Sequence, residues 1–275
     1  MKLKYFGTAA AEGVPALFCK CEVCRKAREL GGKEIRTRSQ SLLDDTLLID
    51  FPGDSYFHFI QQNYNLADIE QLIITHGHAD HFYPEDLLMR MGGYSVGIDS
   101  KLKVYGNQRV HKFYQRAVEL EGWEDKERLL FNEVIPFHLF KAGDYEIIPL
   151  VADHDPNENC LFYQVSKENK TLLYAHDTGY ILEENWDFWK KTKPYFNLVS
   201  LDCTHQKVEV PRNHMSFYDN IKVRNRMFEM GLADGSTKFV LSHFSHNGGM
   251  LYHEMVEWAK ENNFIIAFDG FEITV

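Results

Sequence analysis

The sequence predicts an α/β fold in which two β-sheets pack together with helices outside. Three observations carry this expectation. Short apolar runs bounded by turn residues come first in the chain, and capped helical segments interleave with further runs later. No Gly/Ser/Pro-rich linker divides the 275 residues, so residues 1–275 are expected to form a single domain with ample length for a sizeable core. Layer-packing rules then allow two sheets in contact with helices on their outer faces.

The elements follow in order. "KLKYFGT" reads as a first strand, and "SQSLLDDTLLID" as two strands joined at Asp44-Asp45. "IEQLIITHGHADH" is an apolar strand running into a polar loop. "PEDLLMRM" is a helix opening on Pro84, a favoured first-turn residue. "KLKVYG" is a strand, and "NQRVHKFYQRAVEL" a helix with Asn107 as its N-cap. "EVIPFHLF", "DYEIIPLVADH", "NCLFYQVS" and "KTLLYAHDT" read as strands. "ILEENWDFWKK" is a helix and "FNLVSLD" a buried strand. "SFYDNIKVRNRMFEMG" is a helix capped by Ser216 and ended by Gly231. "KFVLSHFSH" is a strand, "MLYHEMVEWAKEN" a helix and "FIIAFDG" a last strand.

A formal net charge of −10 argues against wrapping long DNA or RNA, whose affinity comes mainly from Lys and Arg on phosphates. A small anionic substrate stays compatible if bound metal supplies positive charge locally. Glu12 and Pro15 interrupt the apolar residues of the N-terminal stretch, so no secretory leader is expected, and no run reaches membrane-spanning length. Five cysteines in such a chain argue against a disulfide framework, and a cytoplasmic protein is expected.

Two clusters carry the chemistry. "LFCKCEVC" sets Cys19, Cys21 and Cys24 within six residues, too close to bridge one another easily. Three thiolates suit a tetrahedral zinc site that still needs a fourth ligand, usually a histidine; free thiols or a redox trio are the alternatives. The second cluster, "THGHADH", follows an apolar strand. Residues two apart in extended backbone share a face, so His76 and His78 can approach one cation, while Asp80 and His81 reach a second point nearby.

"THGHADH" resembles the T-H-x-H-x-D-H signature of the metallo-β-lactamase superfamily, and the element order agrees over nearly the whole chain. The resemblance implies a four-layer αβ/βα sandwich with a dinuclear metal site at one edge. It also implies the remaining ligands: His154 in "PLVADHDP", Asp177 in "YAHDTG" and His243 in "VLSHFSH". His76, His78 and His154 would hold one metal, Asp80, His81 and His243 the other, with Asp177 bridging. His138 and His176 are left as structural histidines.

"EGVPALFCKCEVC" is similar to the N-terminal segment of the PhnP-type phosphodiesterases, which carry a separate structural zinc. That likeness implies a zinc loop at about 12–38 whose fourth ligand is His246, three residues past His243. A closed Cys₃His site stiffens rather than catalyses.

Two divalent cations less Asp80, Asp177 and an ionised water leave +1, which suits a monoanionic phosphodiester; the ionised water is placed for in-line attack. The expected activity is therefore a metal-dependent phosphodiesterase acting on small cyclic or nucleotide-like diesters. Asp80 and His214 count as catalytic; by the resemblance His214, in "RNHMSF", is a general acid or transition-state donor, with His205 its rival. Arg212 lies near enough in sequence to touch an anion, and Phe82 or Tyr83 could line a base pocket. The alternatives are a tRNA-maturing nuclease, a thioester or lactone hydrolase, a cofactor-maturation role, and a non-catalytic metal-binding or sensor module. Zn, Mn, Fe and Ni all suit the ligand types. A small anionic substrate, no membrane partner and a homodimer complete the expectations.

Overall fold

A computed structural model describes residues 1–275. The first sheet starts with β1 (Lys2–Gly7), β2 (Gln40–Leu43), β3 (Leu47–Ile49), β4 (Gln71–Ile73), β5 (Leu102–Gly106) and β6 (Leu129–Glu133). The second holds β7 (Phe140–Ala142), β8 (Tyr145–Val151), β9 (Leu161–Lys167), β10 (Lys170–Ala175), β11 (Leu198–Asp202), β12 (Lys238–Ser242) and β13 (Ile265–Ile266). The chain then returns to the first sheet as β14 (Glu272–Thr274). The strand orders are β14-β1-β2-β3-β4-β5-β6 and β13-β12-β11-β10-β9-β8-β7.

The helices are α1 (Glu22–Leu30), α2 (Ser55–Gln61), α3 (Pro84–Leu87), α4 (Gln108–Glu121), α5 (Glu183–Thr192), α6 (Phe217–Glu229) and α7 (Tyr252–Asn262). Three apolar cores define the layers. Leu3, Ile49 and Ile73 of one sheet meet Ile147, Val165 and Leu198 of the other in the central core. Leu48, Leu72 and Val104 pack outward against Leu87, Val110 and Tyr114 of α3 and α4. Leu173, Val199 and Leu241 pack outward against Trp189, Val223 and Met255 of α5, α6 and α7. This is the four-layer αβ/βα sandwich.

Strands β3 and β4 run parallel, as do β10, β11 and β12. Parallel neighbours deliver their C-terminal ends to a common edge, the edge from which open α/β sheets present binding loops. Three residues just past these ends leave extended backbone for the left-handed region: Asp50 (φ 65°), Asp177 (φ 57°) and His243 (φ 59°). Such a turn is costly for a residue with a Cβ and clusters at functional sites.

Several elements differ from expectation. "EVIPFHLF" is not one strand: β6 stops at Glu133, and His138 lies in a turn with its Nδ1 2.9 Å from the Pro136 carbonyl. Pro136 has no N–H to give a ladder. "PEDLLMRM" is α-helical only to Leu87 and continues as a 3₁₀ turn. "FIIAFDG" pairs only at Ile265–Ile266, and β14 follows it, with Lys2 opposite Thr274. Helices α1 and α2 were not expected. The first starts inside the cysteine cluster, where Cys21 caps it, and the second exposes Tyr56, Phe57 and Ile60, so no apolar stripe marks it. No helix is long and apolar enough to cross a membrane.

Candidate metal centre

The loop after β4 is set by Asp50. This fully buried carboxylate accepts from the Thr75 N–H (2.8 Å) and faces His81 Nδ1 at 2.8 Å, so the Nε2 of His81 turns toward the sheet edge. Glu158, from the turn between β8 and β9, accepts from the Gly77 N–H (2.9 Å) between His76 and His78. A Cβ at Gly77 would stand 2.7 Å from the Phe113 ring, so a larger residue there would have to displace that ring.

Two donor sets converge on Asp177, and a third, Asp177, Asp202, His214 and His243, overlaps them. The ligand atoms of His76, His78, His154 and Asp177 lie within 4.8 Å of one another, and so do those of Asp80, His81, Asp177 and His243. In the first, His78 Nδ1 stands 3.0 Å from both His76 Nε2 and His154 Nε2. In the second, His81 Nε2 lies 3.1 Å from His243 Nε2, 3.3 Å from Asp80 Oδ2 and 3.0 Å from Asp177 Oδ2. Asp177 belongs to both sets, so all seven expected ligands are brought together.

The donors fit divalent cations. Nitrogen ligands about 2.0–2.1 Å from zinc sit about 3.4 Å apart in a tetrahedron, close to these separations. Asp177 Oδ1 is buried without an aligned hydrogen bond, although His214 Nδ1 (3.0 Å) and His154 Nδ1 (3.3 Å) are near. Four buried carboxylates, Asp50, Asp80, Asp177 and Asp202, crowd one edge and call for positive charge. Burial acts to raise the Asp80 and Asp177 carboxyls, but the surrounding histidines prevail and hold both well below the usual range. Burial lowers His76 and pushes His154 down to about 4, which favours their neutral forms, whereas at His81 burial is outweighed by Asp80 and Asp50, which push the imidazole up.

His214 sits beside this edge with Nδ1 3.0 Å from Asp177 Oδ1 and 3.2 Å from Asp202 Oδ2. Burial works against its charged form, yet Asp202 and Asp177 outweigh it and push the imidazolium up to about 11. His205, whose ring lies 5.4 Å from that of His214, is lowered by burial. Both face the same cavity.

The cysteine cluster also closes. The sulfurs of Cys19, Cys21 and Cys24 and the ring of His246 offer ligand atoms within 4.8 Å of one another. His246 Nδ1 is 3.4 Å from Cys21 Sγ and 3.6 Å from Cys19 Sγ. Backbone N–H groups of Cys21, Cys24 and Ala16 point at the three sulfurs at 3.2–3.4 Å, as thiolates require. Burial pushes the Cys24 thiol up to about 12, so an ionised Cys24 needs a cation beside it.

Other expectations fall outside the centre. Arg212 pairs with Asp153, next to His154, and pins the loop carrying His214. Phe82 is a core residue under the first sheet, and neither it nor Tyr83 lines the cavity. His176 is fully buried with its ring nitrogens on Ser39 and Ser200 and belongs to none of the donor sets, though its ring lies 6.3 Å from that of His243. The sequence reading missed Asp50 and Asp202. Asp202 accepts from Thr204 N–H, Met215 N–H, Asp177 N–H and the Thr204 hydroxyl, and faces His214 and His243. An acid closing a buried apolar strand, in "LLID" and "VSLD", was the available signal.

Sandwich and donor sets together define the class: the metallo-β-lactamase fold, with its clustered metal-ligating side chains at one sheet edge. Among solved structures, a diphosphatase from the PhnP family matches with TM-score 0.74 and 17% identity, covering 99% of this chain and 96% of that one. Zn²⁺-bound PqqB from Methylobacterium extorquens matches at 0.72 and 15%, with both chains fully covered. The short form of human tRNase Z matches at 0.69 and 16%, covering 100% and 99%. These likenesses establish the fold. The chain belongs to the family described as anti-Pycsar protein Apyc1, whose model matches residues 40–250. That range holds all seven donors of the two sets but not the three clustered cysteines. Ribonuclease Z of Listeria welshimeri is 24% identical over 157 residues, 56% of this chain and 46% of that protein. Exodeoxyribonuclease YycJ of Bacillus anthracis is 26% identical over 123 residues, 45% and 41%. The chain spans about half the length of the curated relatives it matches.

Proposed function

We propose that the chain hydrolyses small phosphodiesters, cyclic or nucleotide-like, at a dinuclear centre that His76, His78, His154, Asp80, His81 and His243 would hold, with Asp177 common to both donor sets. The observation that carries this is Asp177, whose oxygens lie 3.0–3.7 Å from nitrogens of His76, His81, His154, His214 and His243. Two divalent cations bound there would supply Lewis acidity and water activation. Their charge, less that of Asp80, Asp177 and the attacking oxygen, would leave about +1, which suits a monoanionic diester.

The chain's own residues do the rest. His214 Nδ1 is engaged by Asp177 and Asp202, which leaves Nε2 to give a proton to the departing oxygen. Asp202 orients both His214 and the Nδ1 side of His243 while its own oxygens are filled by donors, so it acts as a positioning group and not as a ligand. The Cys19, Cys21, Cys24 and His246 set would hold a structural zinc that ties the N-terminal loop to the segment after β12.

A screen of phosphodiesters, with phosphomonoesters and lactones as controls, tests the proposal on metal-loaded protein. Turnover of diesters with metal dependence is expected; turnover of lactones alone would overturn it. A second reading, a tRNA-maturing nuclease, is favoured by the ribonuclease Z relatives. It predicts tight tRNA binding with a steep salt slope, which the net charge of −10 opposes.

A further inference from the structure

The cavity over the donor sets, about 200 Å³, has a wall that the metal chemistry does not use. Once the seven donors and His214 are set aside, its polar side chains come from Glu12, Thr204, His205, Ser245 and Asn247. Thr204 is occupied by Asp202 and His243. No Lys or Arg lines the cavity, so Glu12 is the one formal charge on this wall.

Glu12 is held in place. Its Oε1 accepts from the Ser245 hydroxyl and the Asn247 amide and lies 3.5 Å from His246 Nε2. The opposite nitrogen of that ring faces the cysteine sulfurs, so Glu12 is anchored to the same clamp as the N-terminal loop. Three groups crowd one oxygen, while Oε2 has no hydrogen-bond partner in the chain; the side chain is 30% exposed.

This wall has a consequence for substrate choice, on the reading that the site cleaves phosphodiesters. The residual +1 of the loaded centre is matched by the scissile diester alone. A second phosphate on the substrate would bring further negative charge with no Lys or Arg in the cavity to receive it, and on this side it would meet a fixed carboxylate. Two like charges several ångströms apart near a protein surface repel enough to change affinity about tenfold or more. We propose that Glu12 is a specificity-determining charge filter: it admits diesters whose arms are neutral and can donate hydrogen bonds, and excludes those carrying a second phosphate.

A matched pair of substrates tests it: thymidine 5′-(p-nitrophenyl phosphate) and the same compound with a 3′-phosphate. The metal-loaded protein should favour the first in kcat/KM by about tenfold or more. Glu12→Gln keeps an oxygen for Ser245 and Asn247 while removing the charge, and should cut this ratio to about threefold or less. Glu257→Gln, which removes an exposed charge on α7, should leave the ratio as in the parent protein. An unchanged ratio in Glu12→Gln overturns the filter. If neither diester is cleaved, the phosphodiesterase reading fails. The filter is then read from calorimetric binding of thymidine 5′-phosphate against thymidine 3′,5′-bisphosphate. The same narrowing of the ratio in Glu12→Gln supports it, and no narrowing, or no binding of either, overturns it.

Discussion

Asp202 is where fold and chemistry meet, and Asp202→Asn perturbs both. Its Oδ2 lies 2.9 Å from the Thr204 hydroxyl and 3.2 Å from the Asp177 N–H, His214 Nδ1 and His243 Nδ1. Its Oδ1 accepts from Thr204 N–H (3.0 Å) and Met215 N–H (2.9 Å). An amide nitrogen at Oδ2 turns an acceptor into a donor and sets N–H against the Asp177 N–H. The flipped amide opposes Thr204 and Met215 instead. Either way at least one fully buried donor loses its partner, at about 1–3 kcal/mol, and the imidazoles lose a charged neighbour. The sum is about 3–5 kcal/mol, the scale for breaking a buried charged pair. Urea unfolding of metal-free protein should show that loss. Chelator competition should show cation affinity at the His81/His243 set down by about 10–100-fold, with the cysteine cluster unaffected. A variant within about 0.5 kcal/mol of the parent protein, with unchanged cation affinity, would refute this view of Asp202.

Three further outcomes are expected. His214→Ala should retain its metals and lose about 10²–10³ in kcat, the scale of one key donor; the same loss in His205→Ala, with His214→Ala active, would reverse the roles. Cys21→Ser should lower zinc content by one per chain and reduce stability while leaving the dinuclear set loaded, as read by metal analysis and thermal melting. His58 offers a pH test away from the metals. Burial between Gln40 and Thr37 lowers it from 6.5 to about 4. The folded state thus binds the proton more weakly than the unfolded chain. The associated stability is fully present above pH 6.5 and is lost as pH falls through about 4. The shift corresponds to about 3 kcal/mol. The stability gap between the parent protein and His58→Asn should shrink by about that amount from pH 7 to pH 4, and a pH-independent gap would contradict the burial effect.

The legible parts of the site were those written locally. His76, His78, Asp80 and His81 lie in one loop, so chain geometry alone brought them together. His154, Asp177 and His243 each follow a strand, and their convergence depends on sheet order, which only the superfamily resemblance supplied. The cap at Asn107 and the Asp44-Asp45 turn were readable because caps and turns are set by neighbouring residues. Asp50 and Asp202 were not, because their partners come from Thr75 and His81 in one case and Met215, His214 and His243 in the other. Glu12 was invisible for the same reason: its partners lie more than 230 residues away in sequence. Strand ends were misjudged where apolar runs continue past the last pairing, as at "EVIPFHLF", since hydrophobicity reports burial and not hydrogen-bond register.

Crystallography of zinc-loaded protein with anomalous scattering at the zinc edge tests the metal centre most directly. It should locate three cations per chain, two of them within about 4 Å of each other on either side of Asp177 and the third among Cys19, Cys21, Cys24 and His246. A single cation beside Asp177, or side chains of the two donor sets turned away from one another in the loaded protein, would contradict it.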